Sequence, residues 1–188
     1  YLAYAENEED PILLQKYLTK AYHTSLQIQE QIEFTRDYQD LGVKEPIWQN
    51  AKKTFLSTIS VLKTKDITVT ENLDGLFVYA DPLLGRVIYN LIDNALRYGE
   101  KITRISSYWY EDGANAIWVV EDDGTGIAQD MKERIFRKGV GKHTGLGLFL
   151  AREILEITGL VITETGKEGE GAVFKIVIPP WAWEKRKS

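Results

Sequence analysis

Hydrophobic spacing divides the chain into a long leading helix and a following mixture of strands and shorter helices. Between Asp10 and Gly42, Leu14, Leu18, Ala21, Ser25, Ile28, Ile32 and Thr35 recur with 4-3-4-3-4-3 spacing. That is a heptad seam. Asp10 before Pro11 supplies a cap and a first-turn proline, and Gly42 a stop after Leu41. Such a helix is about 45 Å long at 1.5 Å per residue. Its stripe is narrow and diluted by small and hydroxylated side chains, which calls for a bundle partner.

Beyond it, residues 46–60 read as a helix, and 67–70 and 76–79 as short strands. Asp81 and Pro82 open another helix, in which Leu84, Val87, Ile88, Leu91 and Ala95 share one side. Apolar runs predict strands at 103–110, 115–121, 160–165 and 172–178, with helical stretches at 129–135 and 147–158. Pro179 and Pro180 end the last strand, and 181–188 reads as a polar, basic tail with two exposed tryptophans. The order predicts an α/β (α+β) fold, a two-layer sandwich of a mixed β-sheet covered by helices on one face. The domain boundaries that follow are 1–45 for the helical part, 46–180 for the globular part and 181–188 for the tail.

Composition narrows the function classes. At 188 residues and 44% hydrophobic content the chain holds one domain and an appendage. A net charge of −5 argues against a nucleic-acid surface. The absence of cysteine fits a reducing compartment, and two histidines without a Cys/His cluster exclude an ordinary zinc site. No apolar run reaches about 18 residues, so no segment is expected to span a membrane. No signal peptide precedes Tyr1, and the missing initiator Met is expected to reflect a longer parent, cytoplasmic in this part.

Three segments carry the chemistry. On the predicted helix, Asn90, Asn94 and Arg97 stand at i, i+4 and i+7, on one face. Asparagine oxygens can ligate Mg²⁺ and arginine can bind phosphate. The row also reads as a solvated face, although two Asn within one turn are unusual because Asn is a poor interior helix former. The second segment is the turn at Asp122, Gly124 and Gly126, which ends a strand-like run and continues into Ile127. Its glycines permit close backbone approach, and Asp122 offers an acceptor to an exocyclic amine such as that of adenine. Taken alone, it is equally ordinary hairpin chemistry. The third segment contains Gly139, Gly141, Thr144, Gly145, Leu146, Gly147 and Leu148, and feeds an amphipathic helix. Such a loop presents backbone N–H groups to phosphate. Its spacing is neither that of a P-loop nor that of a dinucleotide-binding fingerprint.

In this order the segments resemble the N, G1 and G2 boxes of the sensor histidine kinase catalytic domain, within the wider gyrase, chaperone, kinase and MutL ATPase superfamily. Arg134, Ile135 and Phe136 look like the F box ahead of a lid. The resemblance covers roughly residues 50–179 and implies a Bergerat-type ATP-binding fold. It implies Mg²⁺ on Asn94 with Asn90 beside it, Arg97 at phosphate and Tyr98 flanking the base. It further implies Asp122 on the adenine amino group, with Gly124, Gly126 and Ile127 shaping that wall. Residues 137–144 would be a lid, with Lys138, Lys142 and Thr144 near the phosphates. Hydrolases of the superfamily begin the N box with a Glu that activates water. Asn90 stands there, and a carboxamide is no general base.

The leading helix resembles the second helix of the dimerisation and phosphoacceptor hairpin, with a methanogen-type look across residues 31–48. The resemblance implies a homodimer through a helical bundle and a response-regulator receiver domain as partner. It also implies an acceptor histidine on the first helix, before Tyr1 and outside this chain. His23 is followed by Thr24 where the family has an acidic residue, so it reads as structural, and His143 as a polar loop residue. Two other readings stay open: a nucleotide-binding scaffold without transfer, and an ATPase or serine-directed kinase of the anti-sigma type. Gly171 is followed by Ala172 where the family has a hydroxyl.

Overall fold

Pro11 and the Asp10 carboxylate, which accepts from the Ile12 N–H at 2.8 Å, start the long helix as its sequence dictates. A computed structural model describes residues 1–6, 8, 10–64, 66–141 and 144–187. In chain order the elements are α1 (Leu2–Ala5), α2 (Pro11–Asp40), β1 (Ile47–Asn50), α3 (Ala51–Val61), β2 (Thr68–Asn72), β3 (Leu76–Ala80) and α4 (Leu84–Tyr98). There follow β4 (Arg104–Asp112), β5 (Asn115–Asp122), a single 3₁₀ turn at Arg134–Phe136, α5 (Gly147–Glu156), β6 (Val161–Glu164), β7 (Val173–Ile178) and β8 (Trp183–Lys185).

Five strands form a mixed sheet in the order β2-β4-β5-β7-β6, with β2 parallel to β4 and the other pairs antiparallel. Central β5 is buried from Ala116 to Val120. Leu84, Val87, Ile88, Leu91, Ile92 and Ala95 of α4 join Leu150 and Ile154 of α5 and Trp118, Phe174 and Ile176 of the sheet in one core. The apolar stripe read from the sequence is therefore the buried side of α4, and its carboxamides face the other way.

A second, antiparallel sheet, β1-β3-β8, corrects two expectations. Residues 47–50 are a strand paired with β3, and the helix starts only after Asn50, whose side chain caps it through the Lys53 N–H at 2.8 Å. The expected tail is the strand β8, also paired with β3. Ala182 is buried, Trp183 half-buried and Trp181 exposed. Strand pairing and burial of Ala182 order a segment whose charge suggested solvent. The helix expected at 129–135 is a run of turns ending in the 3₁₀ turn. Asp81 caps less directly than expected. Buried at 1% exposure, it accepts from Leu83 N–H at 2.8 Å and Gly42 N–H at 3.2 Å, and the helix begins at Leu84.

The seam residues Leu18, Ile28 and Ile32 of α2 are exposed. A different stripe, Glu30, Glu33, Phe34, Asp37 and Tyr38, meets the globular part. Asp37 pairs with Arg86 Nε at 2.8 Å and Glu33 with the same guanidinium at 3.2 Å. Tyr38 stacks on Phe149 of α5 and Phe34 packs tilted against it, each at 6.3 Å between ring centres. Among the described residues, no helix is long and apolar enough to cross a membrane.

Candidate functional site

The polar face of α4, the end of β5 and the loop entering α5 converge on a cavity of about 360 Å³, within the size range of small-molecule sites. Asn90, Asn94, Arg97, Tyr98, Asp122, Gly126, Ile127, Thr144, Gly145, Leu146, Gly147 and Leu148 all line it. Three expected residues do not. Gly124 lies just behind the wall, where a Cβ would meet Gly99 Cα at 2.5 Å. Phe136 is buried edge-to-face on Phe174 and under Arg152, so it anchors the segment ahead of the lid. Lys138 sits over the Phe34 ring at 5.8 Å. Lys142 and His143 lie outside the described residues.

Asn90, 7% exposed, donates its amide to the Gly147 carbonyl at 2.9 Å and so fastens α4 to the glycine loop. The Asn94 carboxamide borders the cavity and makes no hydrogen bond among the described residues. One free carboxamide beside a second whose oxygen is uncommitted fits a hard cation sharing phosphate oxygens. Among the described residues no three His, Cys, Asp or Glu side chains converge on a metal position.

At the other end, Asp122 Oδ1 accepts from Gly124 N–H at 2.9 Å and Ala172 N–H at 3.4 Å. Burial raises its carboxyl above the usual range, and these two bonds offset only part of that. The second oxygen is left for a ligand. The wall is built backbone to backbone: a Cβ on Gly171, at φ +118, would stand 1.9 Å from the Asp122 carbonyl oxygen. The Ala172 N–H thus reaches Asp122 without any hydroxyl at that position. Neighbouring Asp123 plays a different part. Its side-chain bond to the Thr103 hydroxyl, with N–H bonds from Thr103 and Arg104, holds its carboxyl down at about 2.

Arg97 is engaged by Asp93 at 2.8 Å and by Glu30 of α2. Burial opposes its charge, yet these two carboxylates outweigh burial and raise its pKa. Asp93 is itself pushed up by burial, which Arg97 offsets in part. Sequence reasoning missed several lining residues, among them Glu30, Glu33 and Phe34 of α2, Tyr89 and Asp93 of α4, and Met131 ahead of the lid. No signal marked Glu30, which looks like any solvated helix position.

A cavity with a carboxylate at one end, carboxamides and a glycine loop at the other, and a mixed sheet beneath defines a nucleotide-binding protein. A family profile described as histidine kinase-, DNA gyrase B-, and HSP90-like ATPase matches residues 80–182. The chain belongs to that family, and it is the catalytic ATP-binding core of a sensor histidine kinase. It is 28% identical over 175 residues to the sensor protein KdpD of Clostridium acetobutylicum, covering 86% of this chain and 18% of that protein. It is 32% identical over 150 residues to histidine kinase P4 of Formosa agariphila, covering 68% of this chain and 10% of that one. The chain thus spans less than a fifth of these relatives. Among solved structures, the catalytic domain of the histidine kinase ThkA aligns with a TM-score of 0.62 at 25% identity, over 73% of this chain and 97% of that one. Full-length ShkA in complex with AMPPNP aligns at 0.70 and 18% identity, over 98% of this chain and 42% of that one. At that identity the second likeness is one of fold, and it extends over α2.

Proposed function

We propose that this chain is a phosphate donor: it binds ATP with Mg²⁺ and passes the γ-phosphate to a histidine on a helix paired with α2, for relay to an aspartate of a response-regulator receiver domain. The observation that carries this reading is Asn90. Its amide is spent on the Gly147 carbonyl, and a carboxamide cannot take a proton from water. With no base at that position, the phosphate is kept for a protein nucleophile. Asn94 and Asn90 would hold Mg²⁺, which neutralises charge on the phosphate oxygens.

The remaining roles follow the cavity from end to end. Asp122 accepts from the adenine amino group, with Gly124, Gly126 and Ile127 forming the wall and Tyr98 beside the base. Arg97, Thr144, Lys138 and Lys142 serve the phosphates, and the N–H groups from Gly145 to Leu148 add their dipoles. These residues orient the donor rather than enter into bonds with it. His23 is exposed beside Tyr22 and is followed by Thr24, so the acceptor is assigned to the partner helix. The exposed seam of Leu18, Ile28 and Ile32 suits that helix and a homodimeric bundle, in a cytoplasmic setting.

Mg-ATP should bind the chain in the micromolar-to-millimolar range, with little release of inorganic phosphate. Asn94→Ala should abolish the Mg²⁺ dependence of ATP binding and leave adenosine affinity unchanged, as read by calorimetry with and without the metal. Rapid steady hydrolysis by the chain alone would contradict the reading.

A further inference from the structure

Helix α2 sets a carboxylate at the phosphate end of the cavity. Glu30 lines the same space as Asn90, Asn94 and Arg97. One of its oxygens pairs with the Arg97 guanidinium, and the other accepts from the Thr144 hydroxyl at 3.5 Å. Arg97 lies on α4 and Thr144 in the glycine loop, and both are assigned to phosphate above. Glu30 gathers the two through one anionic group, as a phosphate oxygen pair would.

The placement is enforced by the rest of the stripe. Tyr38 stacks and Phe34 packs tilted on Phe149, in the first turn of α5 after the glycine loop. Lys138 of the lid covers the Phe34 ring. One turn further along α2, buried Asp37 holds Arg86 together with Glu33. Aromatic contacts and ion pairs on successive turns fix the register of α2, so docked α2 holds the Glu30 backbone beside the cavity.

We propose that Glu30 is a built-in phosphate mimic, through which docked α2 competes with the triphosphate for Arg97 and Thr144. This rests on the reading of those two residues as phosphate ligands. A phosphate would be a third anion on a guanidinium that Asp93 and Glu30 already share, and the half-buried pair leaves that repulsion only partly screened. ATP binding and α2 docking therefore oppose each other, and the opposition is reciprocal. Whatever lifts α2 raises ATP affinity, and ATP loosens α2.

The test titrates the chain and its Glu30→Gln variant with Mg-ATP, Mg-ADP and adenosine by calorimetry. Glutamine keeps the length of the side chain and removes its charge. Because the Arg97–Glu30 pair is partly exposed, ATP should bind the variant about three- to tenfold more tightly. The gain should be smaller for ADP and absent for adenosine, whose contacts lie at the Asp122 end. Equal ATP affinity in both chains, or an equal gain for adenosine, overturns the mimic. Absence of nucleotide binding by both chains overturns the ATP reading itself, and the mimic with it. A second readout is amide hydrogen exchange over residues 26–40, which saturating Mg-ATP should speed and adenosine should not. Unchanged exchange under ATP overturns the competition.

Discussion

Asp122 joins two opposed demands in one side chain. Its carboxyl is pushed up by burial, so the folded chain favours the protonated form more than the unfolded chain does. The stability linked to that proton is present below the unfolded pKa and is lost as pH rises through the raised folded value. At neutral pH the ionised Asp122 therefore costs stability, while the role proposed for it at the adenine amino group calls for an ionised acceptor. Asp122→Asn should raise the Tm of the nucleotide-free chain at pH 7, since an amide oxygen can keep the bonds from Gly124 and Ala172. It should also weaken ATP by about 1–3 kcal/mol, because its amide would face the adenine amino group donor to donor. The pH profile separates the two effects. Wild-type ATP affinity should fall on acidification before ordinary carboxylates titrate, and the variant should show no such fall. Unchanged ATP affinity in the variant would reject the role of Asp122.

At the scale of elements, the turn joining β6 and β7 buttresses the Asp122 end of the cavity. Glu164, its side chain fully buried, accepts from Gly166 N–H at 2.7 Å and Val173 N–H at 3.0 Å, and pairs with Lys132 at 2.6 Å. The turn then meets the loop after Asp122 through the Gly169 N–H on the Thr125 carbonyl at 2.7 Å. Lys132→Met would leave a buried carboxylate unpaired and should cost about 3–5 kcal/mol in chemical unfolding. A loss under 1 kcal/mol would contradict a stabilising role for the Lys132–Glu164 pair. Legibility in the sequence also differs by element. The α4 stripe was readable because its apolar spacing at Leu84, Val87, Ile88, Leu91 and Ala95 and its core-facing side coincide. Strand β1 was not, because Ile47 and Trp48 run straight into a helix capped by Asn50, with no turn residue between. The strand at 183–185 was hidden by its charge, since its pairing with β3 depends on a partner a hundred residues away in the chain.

At the scale of the molecule, the sequence marked one stripe of α2 and the fold uses another. Leu18, Ile28 and Ile32 carried the periodic signal and remain exposed, whereas Glu30, Glu33 and Asp37 make the contacts. Charged helix positions default to solvent, so no pattern could announce that α4 presents Arg86 and Arg97 to meet them. That the three segments meet at one cavity was largely readable, because glycines and carboxamides at set intervals are constrained by backbone approach and polar geometry. Its α2 wall was not, because it is assembled from distant charges. The proposed function needs both halves: a donor site that would keep phosphate from water, and an exposed α2 seam that would take the acceptor helix. The most direct test is transfer from γ-labelled ATP by this chain to a separately supplied helix that carries a histidine and pairs with α2. The account predicts label on that helix, labile in acid and stable in base, with little free phosphate. Label on a serine, or phosphate released to water without any transfer, would contradict it.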